Sequence, residues 1–130
     1  MSMITEIVNM KTIDGVPKEE FIEIIDELET NFHFKQPGYI DSEILYDENQ
    51  DMWIMIMHWS SIDALKSASS NMFKDSATEK FRAALDPKAV NISVFPTLRS
   101  WSLQSLQKAD YSQTTLKASC EGEFKGREIM

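Results

Sequence analysis

The segment MWIMIMHW, Met52 to Trp59, runs eight residues without a turn former, and only its histidine is polar. In a strand, successive side chains point to opposite faces, and one face of an antiparallel sheet usually meets water. Here Met52, Ile54, Ile56 and His58 line one face while Trp53, Met55, Met57 and Trp59 line the other. Both faces therefore need cover, which requires a central strand with helices on one side and something apolar on the other.

The neighbouring segments supply the rest of such a sheet. Ile4 to Thr12 mixes β-branched and apolar residues and runs into Asp14 and Gly15, as a strand entering a turn does. From Pro17 the period changes: Phe21, Ile24, Ile25, Leu28 and Phe32 recur at helical steps. Glu19 and Glu20 suit the positive end of that helix, and Glu23, Asp26, Glu27 and Glu29 fall off its apolar stripe as a solvated face. Tyr39 to Asp47 reads as an edge strand with Ile40, Ile44 and Tyr46 on one side, and the polar run Asp47 to Asp51 closes a hairpin onto MWIMIMHW.

Ser60 or Ser61 caps a second helix whose apolar positions are Ile62, Leu65 and Ala68. A break near Asn71 to Asp75 precedes a further helical piece, Ser76 to Leu85, which Asp86 and Pro87 stop. Val90, Ile92 and Val94 begin a fourth strand, with Pro96 marking a bulge or an edge. The order is βαββαβ, an α+β class, ferredoxin-like arrangement in which helices cover one face of a four-stranded antiparallel sheet. A monomer rarely leaves a bare apolar face in water, so a twofold homodimer with sheets packed face to face is expected.

At 130 residues and 42% hydrophobic content the chain suits one core domain, residues 1–102, followed by a C-terminal extension, 103–130. The extension balances four basic against four acidic side chains, so the net charge of -8 belongs to the domain. Its composition suggests disorder, or, if ordered, packing across a partner subunit. The negative charge, without clusters of Lys and Arg among aromatics, speaks against nucleic-acid binding and against anionic membranes. No segment approaches the roughly 18 apolar residues of a membrane span, and the N-terminus lacks a secretion signal. The lone Cys120 supports neither a disulfide framework nor a metal site, and a cytoplasmic protein is expected.

Pro37-Gly38-Tyr39 at the start of the second strand, Trp59 closing the third, the segment WSSIDAL and Phe73 resemble the antibiotic-biosynthesis-monooxygenase-like domain of the dimeric α/β-barrel superfamily. The resemblance spans roughly residues 3 to 102. It implies a small-molecule pocket between sheet and helices, and oxidation of aromatic substrates by molecular oxygen with no metal, flavin or other cofactor. Several members carry a glutamate two residues before the strand-three tryptophan and a histidine nine residues after it; here those positions hold Met57 and Ala68. The haem-degrading branch uses an asparagine on strand one, near Asn9 here but one position out of alignment, with a Trp and a His on helix two, and helix two of this chain offers neither.

Candidate site residues are few. His58 either accepts a substrate proton or is a satisfied histidine at a strand end. Asn9 interrupts an otherwise β-like strand, and either binds a ligand or is satisfied locally. Tyr39, Trp53, Met57 and Trp59 are candidates for binding an apolar or aromatic molecule, although aromatics and methionines serve equally as core. His33, near the end of helix one, is expected only to contact the helix dipole. The serines Ser67, Ser69 and Ser70 have no base or nucleophile-elbow glycines near them, so a hydrolase is not supported. Two functions follow, a cofactor-independent monooxygenase or a non-catalytic binding or stress-response module.

Overall fold

A computed structural model describes residues 3–103. The elements are β1 (Ile4–Met10), α1 (Lys18–Asn31), β2 (Tyr39–Asp47), β3 (Met52–Trp59), α2 (Ile62–Met72), α3 (Glu79–Ala84) and β4 (Asn91–Pro96), with single 3-10 turns at His33–Lys35, Ser76–Thr78 and Pro87–Ala89. The strands form one antiparallel sheet in the order β2-β3-β1-β4. The expected βαββαβ order and the central place of MWIMIMHW are both observed. Among the described residues the compact unit extends through Leu98, and Arg99 opens a second unit. Most of the C-terminal extension, with Cys120, lies outside the described residues.

The alternation of burial explains why these residues make strands. On β1, Ile4, Glu6, Val8 and Met10 are buried while Thr5, Ile7 and Asn9 are half-buried; on β3, Trp53, Met55, Met57 and Trp59 are buried. The helices cover this side. Phe21, Ile25 and Leu28 of α1, with Phe32 after it, form its inner stripe, and the Phe21 ring lies 4.9 Å from that of Trp53. Removing one such aromatic would cost about 3–5 kcal/mol. Ser61 caps α2, its hydroxyl accepting from the Ala64 amide at 3.1 Å.

Two local features depart from simple alternation. A bulge between Tyr39 and Asp41 turns Tyr39, rather than Ile40, to the helix side with Ser42, Ile44 and Tyr46, and leaves Ile40 46% exposed. Gly38 has φ +88, and a Cβ there would collide with Ala64 Cβ and lie 2.8 Å from Ser60 Oγ. The Gly38 carbonyl accepts from the Ser60 amide at 2.8 Å, so this glycine sets the approach of β2 to the start of α2. Pro96 ends β4, an edge strand, as its missing amide requires.

The other face of the sheet carries Ile7, Ile54 and Ile56 at its centre, with Leu45 and Phe95 exposed toward the two edges. None of these five is buried.

Candidate functional site

Between the helix side of the sheet and the helices lies a cavity of about 510 Å³. Its floor is Val8 of β1 with Met55, Met57 and Trp59 of β3; Ala68, Ser69 and Met72 of α2 and Phe81 of α3 form the opposite wall. Phe73, 75% exposed, stands at the rim. The size suits a small organic ligand, and an apolar lining favours a flat, apolar one.

Three groups in this lining carry charge chemistry: Glu6, His33 and Arg82. Glu6 sits in the middle of the apolar stripe of β1, directly opposite Met57 in the β1–β3 register. It is 6% exposed, and its Oε1 accepts from Trp59 Nε1 at 3.0 Å. Burial pushes its pKa above the ordinary 4.5, although the Trp59 bond and the nearby His33 pull the other way. Arg82 donates through Nε to Thr78 Oγ1 at 3.0 Å.

His33 is 3% exposed, on the turn after α1, and its Nδ1 lies 2.5 Å from Glu29 Oε2 one helical turn back. Ser42 donates to Glu29 Oε1 at 2.5 Å and the Tyr39 hydroxyl to the same oxygen at 3.0 Å. Burial raises the Glu29 pKa, but the bonds and charge from His33, with the two hydroxyls, outweigh it and hold the group below 4.5. The Tyr39 phenol, desolvated and beside Glu29, is pushed up to about 12 and stays a donor. The Tyr39 ring stacks on His33 at 5.8 Å, and the His33 ring meets Trp59 edge-on at 5.9 Å.

This corrects two expectations. Glu29 is buried rather than part of a solvated helix face, because Leu28 and Glu29 together form the inner edge of the last turn of α1. His33 makes no mere dipole contact; it lines the cavity, held by Glu29. The signal available was a Glu-to-His spacing of four running onto the end of the stripe. For Glu6 it was a single charge among Ile4, Val8 and Met10 on one face of a strand.

Of the six candidate residues, the structure brings Met57 and Trp59 to the cavity. Tyr39 stands behind His33 rather than on the lining, and Trp53 packs between Phe21 and Tyr46 in the core. Asn9 and His58 lie on the opposite face of the sheet: Asn9 is paired with Ile54 and Asn91, and His58 Nδ1 is 2.7 Å from Asp41 Oδ1. Met57 and Ala68, where the resemblance implies an acid and an imidazole, both line the cavity as apolar groups. A carboxylate and an imidazole are nevertheless present there, from β1 and from the turn after α1. Among the described residues no group of three metal-ligating side chains converges, and no helix is long and apolar enough to cross a membrane.

No family model and no curated protein matches the sequence. Solved structures do match in shape. SnoaB, a cofactor-independent oxygenase from Streptomyces nogalater, is 20% identical with a TM-score of 0.61, over 77% of this chain and 97% of its own. A Chloroflexus aurantiacus protein named provisionally as an antibiotic biosynthesis monooxygenase is 16% identical with a TM-score of 0.58, over 78% and 99% of the two chains. Rv0793 from Mycobacterium tuberculosis is 14% identical with a TM-score of 0.58, over 78% of this chain and 100% of its own. This chain has the ferredoxin-like α+β fold of the antibiotic-biosynthesis-monooxygenase-like domains.

Proposed function

We propose that the protein binds an apolar aromatic or quinone-like molecule in the cavity and oxygenates it with molecular oxygen, without a metal or organic cofactor. The observation that carries this reading is the buried Glu6 carboxylate on an apolar wall, held by Trp59, with its pKa raised by burial. A raised pKa makes the carboxylate a stronger base toward a weakly acidic C–H. Glu6 removes a proton from an activated ring CH2, and the carbanion passes an electron to oxygen. Recombination forms a C–O bond and a peroxide, which is protonated. Loss of the second C–H proton with O–O cleavage then gives a ketone and water. One substrate and one O2 yield one ketone and one water, and a dry cavity protects the carbanion from quenching.

Anthrone is the test substrate, followed with an oxygen electrode and by the absorbance of anthraquinone. Glu6→Gln keeps the acceptor for Trp59 but removes the base, and turnover falls at least about 100-fold. Wild-type protein that binds anthrone without consuming oxygen refutes the oxygenase reading and supports a binding module, the reading that Met57 and Ala68 favour.

The same proposal includes a twofold homodimer in which the face carrying Ile7, Ile54 and Ile56 packs on that of a second copy. That half-buried apolar centre, rimmed by Asp41, Glu43 and Asn91, has the composition of an interface rather than of a solvated face. In this reading Asn9 and His58 serve the interface.

A further inference from the structure

We infer that Glu29 is a positioning residue that fixes the His33 imidazole with its Nε2 lone pair available to the cavity, making His33 a second proton acceptor there, for an acidic hydroxyl of the bound molecule. The inference deepens the proposed function and rests on its cavity. Nothing in the general fold requires it, because the imidazole comes from the turn after α1 and its partner from α1 itself.

Glu29 Oε1 already receives the Ser42 and Tyr39 hydroxyls, at 2.5 and 3.0 Å, and these hydroxyls lie 2.7 Å apart. Two hydroxyl donors converging on one carboxyl oxygen stabilise the ionised form of the group, and an ionised carboxylate is acceptor-only. The 2.5 Å contact from Glu29 Oε2 to His33 Nδ1 therefore places the ring proton on Nδ1. A neutral imidazole then presents Nε2 as an acceptor, and among the described residues no side chain or backbone group donates to it. The ring cannot rotate freely, because Tyr39 stacks on it and Phe32 and Trp59 meet it edge-on.

The titratable groups around His33 are Glu29 from α1, Tyr39 from β2 and Glu6 from β1, with Arg82 of α3 also on the cavity lining. A hydroxyl proton passing to Nε2 breaks one O–H bond and forms one N–H bond, with no electron transfer. It leaves an imidazolium between Glu29 and the new oxyanion, so charges alternate. Transfer of the same proton to Glu6 offers no such pairing. Two acceptors divide the work: His33 ionises the hydroxyl, which enriches the ring in electrons, and Glu6 takes the carbon-bound proton.

Alizarin, a flat hydroxyanthraquinone that absorbs at longer wavelength once a hydroxyl ionises, is the probe. Bound to wild-type protein, its ionisation should move down by about one pH unit or more, the size expected when a cation forms beside the anion. His33→Phe and Glu29→Gln should abolish most of that shift and, by linkage, weaken binding of the ionised dye by about tenfold, and Glu29→Asp should restore part of both. Nitrogen-15 NMR of the unmodified protein should show His33 protonated on Nδ1 and bare on Nε2, a readout that needs no variant to fold. Alizarin bound in its neutral form, a shift lost in Glu6→Gln but kept in Glu29→Gln, or an Nε2-protonated ring would each overturn the inference and leave the cavity reading standing. No binding at all would remove both.

Discussion

The bond between Trp59 Nε1 and Glu6 Oε1 is the test of whether a charged carboxylate is stabilised inside an apolar wall. At 3.0 Å, with both groups under 7% exposed, neither partner can turn to water if the other is removed. A hydrogen bond to an ionised acceptor is worth about 1.5–3 kcal/mol, against about 0.5–1.5 for a neutral pair. A double-mutant cycle of Trp59→Phe and Glu6→Leu isolates it, because the packing lost with the indole is common to both backgrounds. Glu6 has a raised pKa, so it is protonated below that value and charged above it. The coupling energy, from urea unfolding, should therefore be about 1.5–3 kcal/mol on the alkaline side of the Glu6 titration and fall to about 0.5–1.5 on the acid side. The double variant should also be more stable than the sum of the single losses implies, since each single change strands a buried polar group. A coupling below about 0.5 kcal/mol on the alkaline side, or one that grows on acidification, refutes the assignment of Glu6 as a held carboxylate.

Gly38→Ala should cost about 1–2 kcal/mol for the left-handed backbone, plus about 1–3 kcal/mol for the collision with Ala64, measured by urea unfolding. Ala68→Leu, which points a larger group into the cavity, should abolish alizarin binding while changing stability by less than about 1.5 kcal/mol, because free space absorbs the added atoms. Glu29, held below 4.5, contributes stability that is present above that ordinary value and lost as pH falls through its folded value; Glu29→Gln should flatten the acid limb of the stability profile. Glu6, held above 4.5, does the reverse, so Glu6→Gln should remove a loss of stability that wild type shows as pH rises from 4.5 through the folded value. Light scattering should report a dimer for wild type and a monomer for Ile56→Lys; a wild-type monomer at micromolar concentration refutes the face-to-face assembly.

What the sequence displayed and what it concealed follow from the range of the interactions. Periodicity is local, so α1, α2 and the four strands were legible, as was the hairpin closed by Asp47 to Asp51. The bulge at Tyr39 was not, since Ile40 extends the alternation of Ile44 and Tyr46 as well as any apolar residue could; only the pairing of Tyr39 with Trp59 and Asp41 with His58 reveals the extra residue. The same limit applied to the site. Asn9 drew attention as a polar residue on a strand, but register puts it on the face away from the cavity, whereas Glu6, three residues earlier, faces inward. Glu29 looked like one more member of an acidic face until Ser42 and Tyr39, brought by β2, gave its carboxyl partners.

The two faces of MWIMIMHW meet different demands, which is why substitution at the resemblance positions need not remove the chemistry. Met57 and Glu6 are cross-strand partners on one face, so a carboxylate can leave β3 for β1 and still reach the same end of the cavity. Trp59 then acts for a neighbouring strand, giving its indole proton to Glu6. The imidazole absent from Ala68 has a counterpart in His33, which approaches over Trp59 from the turn after α1 rather than from α2. The carboxylate and the imidazole are held by separate elements, and each has its own partner: an indole for Glu6, a carboxylate for His33. If Glu6→Gln and Glu29→Gln impair different steps, carbon deprotonation in one and hydroxyl ionisation in the other, the rearranged pair is a working acid–base system rather than the residue of a lost one.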